Sequence, residues 1–160
     1  MKKVIFLFVA LLLPAVIFVF LKMFGKNKFD VSPLYTTEYP TAVEECGVNI
    51  ALPYVIPDTL QTRFQTKQNP LTLLYFGSPE NDPEKQINRV KRDFKNDVNL
   101  QVLSDSTGGE QLKRCIFFLS EFQDIVLLDQ NGAIRGQYVS TERKEMDRLV
   151  TELSILLKQY

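Results

Sequence analysis

The sequence predicts an α/β domain, with a central mixed sheet flanked by helices, that follows an amino-terminal transmembrane helix. Strand-length apolar runs alternate with helical periodicity from Leu71 onward, and Asn131-Gly132 separates two β-rich runs as a hairpin turn does. Of the 18 residues from 4 to 21, 17 are apolar. A chain of 160 residues is long enough for one such domain and this appendage.

The composition excludes several classes of function. Histidine is absent, which removes imidazole-based hydrolase triads and His-ligated zinc or copper. Five of the 19 basic residues precede Phe29, whereas all 19 acidic residues follow it, so the rest of the chain carries a net charge of −5. Nucleic-acid binding requires a basic surface field, and this charge balance argues against one.

Residues 1–24 are predicted to be an uncleaved transmembrane anchor. Eighteen helical residues span about 27 Å, close to the hydrocarbon thickness of a bilayer. Lys2 and Lys3 precede the apolar run as in an export signal, and a cleaved signal peptide is the alternative. We favour the anchor because no small-x-small cleavage site follows the run. The flanking charges are nearly balanced and do not orient the span.

The remainder is predicted to be a tether over residues 25–44 and a domain over residues 45–160. The tether contains Gly25, Pro33 and Pro40 and has no clear periodicity. The domain is large enough to bury one hydrophobic core.

The first half of the domain is predicted from strand and helix signals in turn. Residues 71–76 form an apolar run typical of a strand buried on both faces, and residues 98–103 are interpreted as a second such strand. Between them, Asp82-Pro83 is predicted to begin a helix whose inward face carries Ile87, Val90 and Phe94. Residues 109–118 are predicted to be a short helix.

The second half is predicted to be a hairpin and a closing helix. Residues 124–129 and 134–139 are β-rich. The helix has one apolar face and is expected to be capped by Ser140 and Thr141; that face consists of Met146, Leu149, Val150, Leu153, Leu156 and Leu157. This order of elements is typical of a thioredoxin-like fold. Another α/β sandwich with a mixed sheet is the alternative.

The same residues resemble those of the Sco/SenC family, whose members are membrane-tethered thioredoxin-fold copper chaperones of respiratory oxidases. Residues 73–77 resemble the strand that delivers the family's active-site loop, and residues 127–138 are similar to its "LxDxxGxIRGxY" hairpin. Residues 53–58 fall where such domains carry a "PDF" segment, and residues 148–157 are similar to the last helix. The resemblance implies a single-pass protein of the bacterial inner membrane with its carboxy-terminal domain in the periplasm.

The copper ligands of that family have no counterpart in this chain. The family places a CxxxC pair directly after the strand, whereas Gly77 is followed here by Ser78, Pro79, Glu80, Asn81 and Asp82. The family's histidine would fall near Glu121. Cu(I) needs soft thiolate, thioether or imidazole ligands, and this loop offers hard oxygen atoms. We therefore expect no metal, no cofactor, no catalytic residue and no enzymatic activity.

Cys46 and Cys115 are the only cysteines, and their separation of 69 positions excludes a CxxC motif. One alternative is a structural disulfide, which an exported location permits, and the other is two separate buried thiols.

Two charged groups are interpreted as structural features. The acidic residues Glu80, Asp82 and Glu84 suit the beginning of a helix better than a cation site. The basic residues Lys91, Arg92 and Lys95 are interpreted as a solvated helix face.

The predicted function is that of a non-catalytic accessory or assembly factor of a respiratory terminal oxidase, which is the expected protein partner. The loop after the first strand and the segment before the hairpin are expected to form a docking surface of Gly77, Ser78, Pro79, Glu80, Asp82, Glu121 and Phe122. Its aromatic anchor is expected to be Tyr75, Phe118 or Phe122, whichever is exposed. The alternatives are a scaffold subunit of another cell-envelope complex and a thiol-disulfide redox protein that uses Cys46 and Cys115.

Overall fold

A computed structural model describes residues 2–24, 30–40, 46–77, 84–103 and 109–158. The chain divides into two compact units, Met1–Asp30 and Val31–Tyr160. The first unit contains helix α1, Lys2–Phe24, in which Pro14 lies inside the helix. Taken over the described residues, no helix is long and apolar enough to cross a membrane.

The second unit is a mixed α/β domain with a four-stranded mixed sheet flanked by helices, as predicted. Strand β1 is parallel to β2 and antiparallel to β3, and β3 is antiparallel to β4, which gives the order β2-β1-β3-β4. The elements are α2 (Asp58–Arg63), a 3-10 helix (Thr66–Gln68), β1 (Leu71–Tyr75), α3 (Glu84–Asp93), β2 (Val98–Val102), α4 (Gly109–Cys115), β3 (Ile125–Asp129), β4 (Ile134–Tyr138) and α5 (Arg143–Leu156).

The sheet separates two hydrophobic cores, because successive side chains of a strand point to opposite faces. Leu71, Leu73 and Tyr75 of β1 contribute to the core that contains α3 and α5. Leu74 of β1 and Phe76 after it contribute to the other core, together with the segment before β1 and the residues after α4. The predicted apolar face of α5 is confirmed, since its residues Met146, Leu149, Leu153 and Leu156 are buried.

Strand β2 corrects one prediction. It was expected to be buried on both faces, but only Val98 is buried and Val102 is 49% exposed. The physical reason is its position at the edge of the sheet, where it pairs with β1 alone among the described residues. Its polar residues Asn99 and Gln101 both donate a side-chain N–H to the carbonyl oxygen of Phe64, at 3.2 and 2.9 Å.

The predicted cap of α5 is wrong. The N-cap residue is Glu142, and no side chain caps the helix. Ser140 instead bonds to Asp124, to which it donates both its backbone N–H and its hydroxyl. The predicted helix over residues 109–118 is also shorter than expected, because it ends at Cys115 and Phe118 has a φ of 51°. The predicted helix start at Asp82-Pro83 lies outside the described residues.

The predicted hairpin is confirmed, and its turn is held by a buried carboxylate. Asp129 accepts hydrogen bonds from the backbone N–H groups of Asn131 and Ala133, at 2.9 and 3.0 Å. It also forms an ion pair with Arg135, whose Nε donates to the carboxylate at 2.9 Å. Gly132 has a φ of 78°, which favours glycine. Because the carboxylate has three donors, it can be buried without an unpaired charge.

The described part of the predicted tether contacts the hairpin. The N–H of Leu34 donates to the carbonyl oxygen of Ile134 at 2.7 Å, and Arg135 donates to the carbonyl oxygen of Val31 at 2.7 Å. These residues therefore lie along the outer edge of β4.

Candidate functional site

The candidate docking surface lies at the end of β1. Tyr75 is paired with Ile125, and the N–H of Phe76 donates to the carbonyl oxygen of Asp124 at 2.7 Å. Gly77, the next residue, is therefore brought beside the segment that precedes β3. Gly77 and Asp124 therefore lie at the same end of the sheet. Ser78, Pro79, Glu80 and Asp82 lie outside the described residues.

Phe122 is the exposed aromatic residue of this surface. Its relative exposure is 78%, whereas Tyr75 and Phe118 are 3% and 6% exposed. The turn that carries Phe122 is closed by two hydrogen bonds between Ser120 and Gln123. Ser120 N–H donates to Gln123 Oε1 at 3.0 Å, and Gln123 N–H donates to the Ser120 carbonyl at 3.2 Å. Glu121 is exposed beside it, so an aromatic ring and a carboxylate project together from an ordered turn.

Beneath this turn, a polar group that the sequence did not predict joins β3 to the end of β4. Ser140 donates its backbone N–H to Asp124 at 2.7 Å, and its hydroxyl donates to the same carboxylate. Tyr75 lies nearby, and burial raises its pKa, with a smaller opposing effect of a hydrogen bond to Ser140 and a smaller raising effect of Asp124. Ser140 is 1% exposed, so its hydroxyl is buried against the Asp124 carboxylate and is not accessible from the surface. The hydrogen-bonded pair of Asp124 and Ser140 is therefore suited to fixing the position of the turn that carries Phe122.

Gln137 is a second residue that sequence reasoning missed. It is 9% exposed, and its Nε2 donates to the carbonyl oxygen of Phe117 at 2.7 Å and to the hydroxyl of Tyr35 at 3.0 Å. The only local signal is a polar residue within a β-rich run. Its amide fixes the segment between α4 and β3, which leads to Phe122.

The predicted disulfide between Cys46 and Cys115 is confirmed, with a Cα–Cα distance of 5.6 Å. Both cysteines are half-buried, and Cys115 contributes to a cleft of about 350 Å³ together with Pro53, Tyr54 and Ile116. Cys115 is the last residue of α4. The negative end of a helix dipole disfavours a thiolate there, so this is a poor position for a reactive cysteine.

The residues described by the structure include no group of three or more His, Cys, Asp or Glu side chains that could hold a metal ion. Comparison with protein-family models finds no match to the chain. A search of curated proteins finds no match either.

Proposed function

We propose that this protein is a membrane-anchored, Sco/SenC-like thioredoxin-fold protein without copper ligands, which acts as a non-catalytic accessory or assembly factor of a respiratory terminal oxidase. The observation that carries the proposal is Phe122, which is 78% exposed in the turn that precedes β3. In the family that the sequence resembles, the loop after this strand carries the copper site. An aromatic anchor with a polar rim is typical of a binding hot spot.

The thioredoxin-like part of the proposal is supported by the topology of the domain. One parallel strand-helix-strand unit, β1-α3-β2, is followed by α4, an antiparallel hairpin and a terminal helix. In the order β2-β1-β3-β4, β3 is the strand that runs against the other three. The resemblance of the hairpin sequence to that of the Sco/SenC family points to the same fold.

The copper-free part of the proposal is supported by the ligands available. The chain has no histidine, its two cysteines are bonded to each other, and Met146 is 1% exposed within the core. Within residues 45–160, the soft ligands for Cu(I) are therefore consumed or buried, and the other two methionines, Met1 and Met23, belong to the predicted anchor.

We expect an anaerobic Cu(I) titration of the oxidised protein, read against a competing chelator, to reveal no tight site. A tight one-to-one complex would contradict the proposal. Reduced protein serves as the comparison, because two free thiolates could in principle bind Cu(I) linearly.

The membrane part of the proposal rests on the sequence of residues 4–21 and on the family's usual arrangement. We propose that residues 1–24 anchor the protein in the bacterial inner membrane and that the domain lies in the periplasm. Confinement to a membrane surface raises the effective concentration of a partner in the same membrane. A contact as small as one aromatic side chain and its rim can then contribute usefully to assembly.

Co-purification from mild detergent tests the docking role. We expect wild-type protein to recover subunits of the terminal oxidase and Phe122→Ser to lose them, because the substitution removes the aromatic anchor. Tyr39→Ser is the matched control, since Tyr39 is also an exposed aromatic residue, at 62%. Equal recovery by the Phe122 variant would exclude this surface as the docking site.

The same experiment separates the alternative functions. Recovery of a different envelope complex would favour the scaffold alternative. The redox alternative is less favoured, because Cys115 ends a helix and is 69 positions from its partner, unlike the thiols of a CxxC motif.

A further inference from the structure

A cleft of about 300 Å³ lies beside β2. The last turn of α3 contributes Lys91 to its lining, the turn after the helix contributes Phe94 and Lys95, and β2 contributes Leu100. Asn69, which precedes β1, also lines it. Gly77, Glu121 and Phe122 of the docking surface do not line the cleft. A function of this cleft would therefore be separate from the docking role proposed above.

The cleft borders β2, whose outer edge pairs with no other strand among the described residues. The N–H of Leu103 donates to the carbonyl oxygen of Tyr75 at 2.8 Å, so alternate residues from Asn99 to Leu103 face β1. The backbone N–H and C=O groups of Leu100 and Val102 then point away from β1. Within the described part of the chain, β2 pairs with no strand except β1. Backbone groups at such an edge are a template for an added strand.

The lining of this cleft is positively charged, although the domain as a whole is acidic; Asp97, which is exposed in the turn before β2, is not part of that lining. Lys91 lies in α3 and Lys95 in the turn that follows it; both are exposed, and no described residue that lines the cleft is acidic. Asp93 lies on the same helix, but its carboxylate is engaged by Arg89 at 3.8 Å and Arg92 at 3.2 Å. The two lysine ammonium groups therefore give the cleft a local positive potential.

We propose that the free edge of β2 binds an extended, acidic segment of a partner protein as an added strand. The backbone of the segment would pair with Leu100 and Val102, and its carboxylates would pair with Lys91 and Lys95. Addition of a strand to a sheet edge gives affinity through main-chain hydrogen bonds and specificity through alternate side chains. Val102, which is 49% exposed, would be covered by an aliphatic residue of the segment.

A second copy of this chain fits the edge less well. Two β2 strands that pair antiparallel are related by a twofold axis perpendicular to the sheet, so both α3 helices would lie on the same side. Lys91 and Lys95 of the two copies would then border one shared cleft, and like charges there would oppose the pairing. Charge complementarity therefore favours an acidic partner.

Fluorescence anisotropy with a labelled peptide of about eight alternating glutamate and valine residues tests the proposal on the full chain in neutral detergent. We expect saturable binding that the double variant Lys91→Glu/Lys95→Glu weakens by about tenfold or more, because two attractive charges become repulsive. The matched control, Lys144→Glu/Lys158→Glu, changes two exposed lysines outside the cleft and should leave the affinity unchanged.

Peptide controls on the wild-type protein test the strand pairing independently of any variant. A peptide that is N-methylated at alternate residues loses backbone donors and should not bind, and a lysine-valine peptide should not bind because of its charge. Amide hydrogen exchange at Leu100 and Val102 should slow when the acidic peptide is bound. Val102→Pro removes an outward N–H without removing a bond to β1, and should also abolish binding.

Several results would overturn the inference: absence of binding, equal binding of the methylated or lysine peptide, or an unchanged affinity of the Lys91 and Lys95 variant. Concentration-dependent dimers in sedimentation experiments that Val102→Pro abolishes would assign the edge to a second copy instead. None of these results depends on Phe122, so they leave the docking role to its own test.

Discussion

At the scale of single residues, the bond between Cys46 and Cys115 is the strongest constraint on the segment that precedes the sheet. The two cysteines are 69 positions apart, so the bond closes a long loop of the unfolded chain. On chain-entropy grounds, a loop of this length stabilises the folded state by roughly 4 kcal/mol. We expect Cys46→Ser/Cys115→Ser to lower the free energy of unfolding by up to about this amount.

Guanidinium titrations with and without reductant measure this effect. Reduced wild-type protein should match the double variant, and reductant should leave the variant unchanged. Identical midpoints for oxidised and reduced wild-type protein would contradict a stabilising role of the bond.

Tyr54 should make stability depend on alkaline pH. Its hydroxyl donates to the carbonyl oxygen of Ile116 at 2.9 Å, and burial raises its pKa to about 12. In the unfolded chain a tyrosine ionises near pH 10, so the neutral form is favoured by folding. The stabilisation is complete below about pH 10 and is lost as the pH rises towards 12, with a slope of about 1.4 kcal/mol per pH unit for this group.

Urea titrations between about pH 9 and pH 12 measure that slope. Tyr54→Phe should be less stable at neutral pH, because it loses a hydrogen bond, but its stability should fall less steeply above pH 10. Tyr39→Phe is the control, since Tyr39 is exposed. A slope that Tyr54→Phe does not reduce would contradict the assignment.

Residues whose partners are distant in the sequence could not be predicted. Ser140 was expected to cap the following helix, since local sequence favours a serine there, but its partner is Asp124, 16 positions earlier. Gln137 bonds to Tyr35, 102 positions away. Sequence alone indicated that two cysteines could pair, but the 5.6 Å between their Cα atoms is a tertiary fact. Phe122 was one of three candidates for the aromatic anchor, and only its high exposed fraction in the structure distinguished it from the other two.

At the scale of elements, those with local signals were predicted well. The apolar face of α5 and the Asn131-Gly132 turn depend on residues within a few positions of one another, so the pattern specifies them. The burial of β2 depends on which strands lie beside it, and the sequence does not carry that information. The apolar pattern therefore predicted the existence of β2 correctly but overestimated the burial of its side chains.

The hairpin turn should be sensitive to substitution of Gly132. Its φ of 78° is strained for other residues, and an added Cβ would lie 2.9–3.0 Å from side-chain atoms of Gln61 and Ile56. We expect Gly132→Ala to destabilise the domain by about 1–3 kcal/mol. Gly109→Ala is the matched control, because an added Cβ there meets nothing within 4 Å and the residue lies in α4, where alanine is favoured.

Thermal and denaturant unfolding compare the two glycine variants directly. Gly109→Ala should leave the stability unchanged or raise it slightly. Equal stability of the two variants would show that the turn tolerates a side chain and that its conformation does not require glycine.

At the scale of the whole molecule, the two proposed binding surfaces differ in charge. Residues 29–160 carry a net charge of −5, yet the edge of β2 presents Lys91 and Lys95, while the turn before β3 presents Glu121 beside Phe122. A partner surface of a single charge could not be complementary to both the lysines of the β2 edge and the carboxylate of Glu121. The protein is therefore suited to joining two different components, which is the property expected of an assembly factor.

The proposed function depends on the proposed attachment of the chain to a membrane. We expect the protein to resist extraction by alkaline carbonate and to be released by detergent, because residues 4–21 contain 17 apolar residues. Protease added to intact spheroplasts should digest the carboxy-terminal domain. Full protection of the domain would reverse the proposed orientation.

A pair of charged substitutions makes the attachment test specific to the apolar segment. Leu12→Arg/Val16→Arg places two charges near its centre, each of which costs about 2.5–3.5 kcal/mol on insertion. The variant should therefore move to the soluble fraction, whereas Lys3→Arg, which keeps its charge, should remain with the membrane. Cys46, Cys115 and Tyr54 all belong to the second unit. Both variants should therefore retain the disulfide and the loss of stability above pH 10 that is assigned to Tyr54. A double-arginine variant that stays in the carbonate-resistant membrane fraction would show that attachment does not depend on the apolar segment.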